Sequence, residues 1–243
     1  MNIVSILAGG EGLRFNYGRQ EGGKKIPKQL AKIGDKTLLE MSIEAFDSHP
    51  DIDKIIVVMN KNWMDDLKEI LSQDSYRKVD VLLKGGDSRF ESSNIAIDHI
   101  ARHYPMAKKL LIHDGVRPFV SEDVISNVIN ALDHADAVEP VVKATETLVK
   151  LDEFGVPKTV NRRKYANVQT PQGFKFKILH KAFQIAEEYL HNSVTAGKIS
   201  GKKKKWTPTD DMSVVEKFNP KAIRRAVQGD PKNKKVTFRS DLN

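Results

Sequence analysis

What most constrains how this chain folds is a rhythm: short apolar runs alternate with longer stretches of helical periodicity. The pattern predicts strands at 3–7, 54–59, 79–83, 109–113, 137–142, 223–227 and 236–238. Helices are predicted between them at 38–46, 63–72, 90–103, 123–134 and 174–191. In the fourth of these, Val124, Ile125, Val128, Ile129 and Leu132 share one face. Ser121 is placed to cap it, with Glu122 and Asp123 favourably set in its first turn. Alternation of this kind predicts an α/β fold with a mainly parallel sheet and helices on both faces. Ligands then bind beyond the carboxyl ends of the strands, so the residues after each strand carry the functional argument.

Two stretches break the rhythm. Residues 144–168 lack a clean helical period and are expected to form an arm outside the main sheet, and 192–208 contain the basic loop GKISGKKKKW. With no internal repeat and no clear linker, 1–243 reads as a single domain carrying that arm. The chain has no cysteine, which excludes disulfides, thiol nucleophiles and Cys-ligated metals. No apolar run approaches the ~20 residues of a membrane span. The N-terminal MNIVSILAGG has no basic leader and reads as a first strand, so a cytoplasmic protein is expected. The net charge of +8 is concentrated in loops without interleaved aromatics. That arrangement suits small polyanions rather than nucleic acid.

Glycines follow the first strand at Gly9, Gly10 and Gly12, where backbone N–H groups can approach phosphate oxygens. The dinucleotide pattern fails because Phe15 holds its third glycine position. A Walker-type spacing at Gly18, Gly23 and Lys24 fails as well, with Lys25 in place of Ser/Thr and no preceding strand. Arg14 and Lys28 bring two positive charges to the glycine turn, where they can grip a triphosphate. In KGGDSRFESS, Gly85 and Gly86 can read a base edge, and Ser88 or Asp87 can equally cap a helix. In LLIHDGVRPFV, Asp114 ends an apolar strand and suits Mg²⁺, with Arg117 near enough for a second phosphate; a plain turn is the alternative, and His113 reads as structural. In TPTDDMSVVE, Thr209 is expected to cap a helix. Lys235 stands near the end of the chain, alternatively a strand-edge lysine.

Taken in order, LAGGEGLRF, PKQL, GGDSRFESS, HDGVRPFV, QTPQGF, TDDMSVVE and NKKVTF resemble the cytidylyltransferases that couple CTP to a polyol phosphate. The resemblance runs from Leu7 to Leu242. It implies a Rossmann-like domain of the nucleotide-diphospho-sugar transferase type, with the arm reaching a second subunit in a homodimer. CTP contacts are implied for Leu7, Ala8, Gly9, Gly10 and Gly12, and for Gly86, Asp87 and Ser92 at the cytosine and ribose. Arg14, Lys28, Lys235 and Arg162 are the implied catalytic set, and Asp114 the implied Mg²⁺ ligand. Polyol-phosphate contacts are implied for Arg117, Thr147, Arg162 and Thr170, with Arg162 donated by the partner's arm. Within the family, LAGG and HDGVRPF are similar to the ribitol-5-phosphate branch, which makes precursors of cell-surface polymers; the alternatives are the methylerythritol-phosphate enzymes and a capsule-pathway CTP-dependent enzyme with another phosphate acceptor. An inactive nucleotide-binding regulator is the reading from another class. The glycine-rich 16–26, with Lys24 and Lys25, is expected to close over the triphosphate as a lid.

Overall fold

The computed structural model describes residues 1–10, 15, 26–73, 76–197 and 206–242. The strands are β1 (Asn2–Ala8), β2 (Lys32–Ile33), β3 (Lys36–Thr37), β4 (Lys54–Met59), β5 (Val79–Lys84) and β6 (Lys109–Asp114). They continue as β7 (Ala137–Lys143), β8 (Val149–Leu151), β9 (Pro157–Thr159), β10 (Ala166–Val168), β11 (Gln172–Lys175) and β12 (Arg224–Gln228). The helices are α1 (Leu38–Asp47), α2 (Met64–Gln73), α3 (Arg89–His103), α4 (Glu122–Ala131), α5 (Phe176–Gly197) and α6 (Asp211–Phe218).

The main sheet runs β10-β7-β11-β6-β1-β4-β5, with β12 on the other side of β7. Neighbours β6, β1, β4 and β5 are parallel, and β11 is antiparallel to both β6 and β7. The predicted mainly parallel Rossmann-like sheet with helices on both faces is therefore present. Strand alternation sorts the side chains: Val4, Ile6 and Ala8 enter the core with α1, α2 and α4, and Ile3 enters the core with α3, α5 and α6. Local signals set the helix ends. Thr37 and Glu40 form a reciprocal capping box on α1, while Ser88 caps α3 and Ser121 caps α4.

The structure corrects four expectations. Residues 236–238 form no strand; Val236 donates one backbone bond to Val116 O (2.9 Å) and is buried against Phe15, Ala31, Leu38 and Val116. Its apolar character answers to burial, not to a ladder. Phe174 belongs to β11, and the helix predicted from 174 starts at Phe176. Asp210, not Thr209, caps α6, because its side chain accepts from Ser213 N (2.9 Å). The arm leaves the main sheet as the β8–β9 hairpin, but its last residues return as β10 beside β7. Among the described residues no helix is long and apolar enough to cross a membrane.

One irregularity positions the site. From Val168 to Gly173 the chain advances five residues while its partner β7 advances three, from Val141 to Val138. The surplus bulges at Gln169, Thr170 and Pro171, beside the end of β6.

Candidate active site

A cleft of about 690 Å³ lies across the carboxyl ends of β6, β1, β4 and β5. Register dictates its floor. Leu7 pairs with Asp114 and Ala8 with Met59, so the chain leaves all three strands at one level. Gly85 N then donates to Met59 O (2.7 Å), bringing the turn after β5 to the same level. Small residues are required here. A Cβ on Gly86 would stand 2.4 Å from Glu91 Cβ, and one on Gly85 would stand 3.1 Å from the Ser92 hydroxyl. Gln29, buried, donates to Ala8 O (2.5 Å) and Gly10 O (3.2 Å), and Asn60 donates to Gly9 O (3.2 Å). These two amides occupy carbonyls of the glycine turn.

Cations gather at the β6 end. Lys235 Nζ lies 3.0 Å from Asp114 Oδ2, Arg117 Nε 3.2 Å from the same oxygen, and Arg89 Nε 3.8 Å from Oδ1. Burial pushes the Asp114 carboxyl up, but Lys235, Arg89 and Arg117 together overcome it and hold it well below the usual carboxylate range. Arg89 is anchored from below by the buried Asp211, 2.6 Å away. Lys28 Nζ donates to Val236 O (3.3 Å), which ties the other predicted lysine to the C-terminal segment that delivers Lys235.

Beneath Asp114 runs a buried polar chain. His113 Nε2–H donates to Arg117 O (3.1 Å), so its Nδ1 is left to accept from the Thr170 hydroxyl (3.1 Å). The Thr170 oxygen in turn accepts from Asp114 N–H (3.0 Å). This pattern needs a neutral imidazole, and burial pushes the His113 pKa down to about 4. Arg117 also donates to Asn233 O (2.9 Å), and Asn233 Nδ2 donates to Thr170 O (2.8 Å). Asp114 is thus gripped from its backbone and from its side chain.

Of the residues nominated from sequence, Leu7, Ala8, Gly9, Gly10, Lys28 and Lys235 line the cleft together with Gly86, Asp87, Ser92 and Asp114. Gly12, Arg14 and the lid expected at 16–26, apart from Ile26, lie outside the described residues, as do Lys202–Lys205. Arg117 and Thr170 are not among the cleft-lining residues. Both are buried and take part in the hydrogen-bond network under Asp114. Thr147 and Arg162 sit exposed on the arm, where Arg162 Nη1 donates to Thr145 O (2.5 Å); within one chain they are not brought into the cleft. Nor does Asp114 as it stands fit a resident divalent ion. Three cationic side chains converge on it, so this single carboxylate would hold Mg²⁺ only together with the phosphate oxygens of a nucleotide.

Sequence reasoning passed over Gln29, Asn60, Arg89 and Asp211. Arg89 stands in a motif singled out for its glycines, directly after the helix cap Ser88, and reaches the cleft from the first position of α3. Asp211 stands in the TPTDDMSVVE motif, but its partner Arg89 lies far off in the sequence.

Comparison with known proteins agrees with this geometry. The model of the IspD family, described as 2-C-methyl-D-erythritol 4-phosphate cytidylyltransferase, matches residues 2–243. A bifunctional ribulose 5-phosphate reductase/CDP-ribitol pyrophosphorylase of Haemophilus influenzae is 35% identical over 99% of this chain, which spans only 46% of that relative's length. A 2-C-methyl-D-erythritol 4-phosphate cytidylyltransferase of Thermobifida fusca is 33% identical over 98% of this chain and 89% of its own. The crystal structure of 4-diphosphocytidyl-2C-methyl-D-erythritol synthase from Anaerococcus prevotii superposes with a TM-score of 0.78 at 28% identity, covering 99% of this chain and 92% of that one. Matched along nearly its whole length in sequence and in fold, the chain belongs to the IspD family of cytidylyltransferases, which are nucleotidyltransferase enzymes.

Proposed function

We propose that this enzyme transfers CMP from CTP to a polyol phosphate with release of pyrophosphate, and that the acceptor is ribitol 5-phosphate. The observation that carries the reading is the polarity of the cleft. Lys28, Lys235 and Arg89 stand towards the β6 side, while Gly85, Gly86, Asp87 and Ser92 form the opposite wall after β5. A nucleoside triphosphate fits with its phosphates among the cations and its base and ribose against the glycines.

The acceptor's phosphate oxygen attacks the α-phosphorus in line, forming the new P–O bond as the bond to pyrophosphate breaks; no covalent enzyme intermediate is needed. Lys28 and Lys235 offset charge building on the α-phosphate and the leaving group, joined by Arg14. Mg²⁺ would be held by Asp114 together with the phosphates of CTP, and it would supply further neutralisation of the charge there. Asp114 holds Lys235 in place until the nucleotide arrives. A homodimer completes the site in this reading. The β8–β9 hairpin exposes Leu151 and Val156, and Phe154 at its tip is 85% exposed, which suits docking on a second copy. The partner's arm then supplies Thr147 and Arg162 to the acceptor phosphate. The reaction belongs in the cytoplasm, where CTP is available.

The ribitol assignment draws on the LAGG and HDGVRPF motifs and on the CDP-ribitol name of the Haemophilus relative. A second reading, 2-C-methyl-D-erythritol 4-phosphate as acceptor, is favoured by the description of the family model and by the Thermobifida relative. The test offers CTP with ribitol 5-phosphate, 2-C-methyl-D-erythritol 4-phosphate and glycerol 3-phosphate, scored by pyrophosphate release and product mass. CDP-ribitol as the dominant product is expected. Preference for the erythritol phosphate would install the second reading, and no product with any acceptor would leave a nucleotide-binding regulator.

A further inference from the structure

Among the described residues, one basic side chain of the cleft has no part in the reaction as proposed. Lys61 follows β4 and lines the cleft with Asn60 and Asn62, and it is not among the cations paired with Asp114, which are Lys235, Arg89 and Arg117. Its place is fixed on both sides. Asn60 Nδ2 donates to Gly9 O (3.2 Å), so the turn is stitched to the glycines after β1. Met59 O accepts from Gly85 N (2.7 Å), so the same turn is stitched to the glycines after β5. Asn60 also shapes the turn itself, accepting from Asn62 N at its side chain (3.0 Å) and from Trp63 N at its carbonyl (3.0 Å). The result is a short 3₁₀ turn, Lys61–Trp63, wedged between the two glycine turns that floor the cleft. Lys61 is exposed, and no salt bridge among the described residues engages it.

We propose that Lys61 reads the nucleobase, donating to its acceptor edge and so favouring cytosine over uracil. The inference rests on the nucleotide reading above and deepens it. Lys61 stands in the turn after β4, next to the glycines after β5 that receive base and ribose in this reading, and it is not one of the cations paired with Asp114. A cytosine seated against those glycines can turn its O2 and N3 edge to this ammonium. N3 is a lone-pair acceptor in cytosine and an N–H donor in uracil. An ammonium, which only donates, therefore gains a partner from cytosine and faces a like donor in uracil. Selection comes as much from the clash with the wrong base as from the bond to the right one.

The test is Lys61→Met, with Lys61→Arg as the conservative variant and thermal melting to verify that folding is unchanged. Steady-state rates are read for CTP and UTP with a saturating acceptor. The expected result for Lys61→Met is a KM for CTP raised about tenfold with kcat within about twofold, and a CTP-over-UTP preference reduced by a similar factor, in keeping with loss of one charge-assisted hydrogen bond. Partial recovery is expected in Lys61→Arg. Unchanged KM and unchanged base preference would overturn the proposal. So would a fall in kcat at constant KM, which would move the ammonium to the phosphates. Calorimetric binding of CTP and UTP to the same variants separates this idea from the wider one. If the wild-type protein binds CTP without turnover, the transferase reading fails, while equal CTP affinity of wild type and Lys61→Met sinks the role of Lys61 alone.

Discussion

The β6 end of the cleft and the β8–β9 hairpin are both rich in charge, yet they are built in opposite ways. Around Asp114, nearly every polar group is held from two sides. Its backbone is tied to Thr170, its carboxylate to Lys235 and Arg117, and Arg89 is pinned beneath by Asp211. On the hairpin, Val149, Leu151, Phe154 and Val156 face outward, and the turn is held by Asp152, whose side chain accepts from Phe154 N (3.0 Å) and Val156 N (2.8 Å). The first region spends its interactions within the chain; the second leaves its apolar surface uncovered. A region finished in one copy and a region left open in one copy call for different experiments.

The largest effect is expected at Lys235. Replacing it with Ala removes a preorganised cation from the cleft and should lower kcat by about 10²–10³. Melting should change little, because Asp114 keeps Arg117 and Arg89 as partners. Near-normal pyrophosphate release would show that the finished region is scaffold rather than active site.

Next comes the pH dependence of stability. His113 has its pKa pushed from 6.5 down to about 4 by burial. Between those values the unfolded chain binds a proton that the folded chain refuses, so stability falls as pH drops from 6.5 towards 4. The full contribution is on the order of 3 kcal/mol, present above pH 6.5. His99, lowered by burial and by His103, adds in the same direction but more weakly, being only partly buried. Asp114 contributes at still lower pH, since its carboxyl is already held below the usual range. Urea titrations across pH 7 to 4 should reveal a steady loss of stability; a flat profile would mean that the buried chain under Asp114 tolerates an imidazolium.

Asp211→Asn tests the strut. It removes the negative charge 2.6 Å from Arg89, leaving at most a neutral amide acceptor, and should destabilise by about 2–3 kcal/mol, below the range for a fully buried pair because Arg89 is about one-third exposed. A companion loss of activity is expected, since Arg89 lines the cleft.

How much of this was legible beforehand divides along the same line. Strand and helix patterning predicted the sheet, because Ile3–Ile6 and Ile55–Val58 are short continuous runs buried on both faces of it. Cleft residues that follow strands, such as Gly9, Asp114 and Gly86, were found because topology places strand ends together. Arg89 with Asp211 and Thr170 with His113 were not found, since each pair joins positions 122 or 57 apart whose contact depends on the finished fold. Val236 misled for a related reason: an apolar β-branched residue reports burial, and burial here comes without a ladder.

The smallest thermodynamic effect is expected at the hairpin, and it sharpens the comparison most. Phe154 is 85% exposed, so Phe154→Ser removes almost nothing from the folded chain and should change unfolding free energy by no more than about 0.5 kcal/mol. Its consequence should appear between chains instead. Sedimentation at varied concentration should register weaker self-association, and turnover should fall along with the dimer, because Thr147 and Arg162 ride on the same arm. A clear drop in melting temperature without any change in association would mean the hairpin packs on its own chain. Unchanged association and unchanged rate would mean that the exposed apolar tip serves neither partner nor site. Loss of association with full activity would keep the arm as an interface while returning the acceptor phosphate to residues of a single chain.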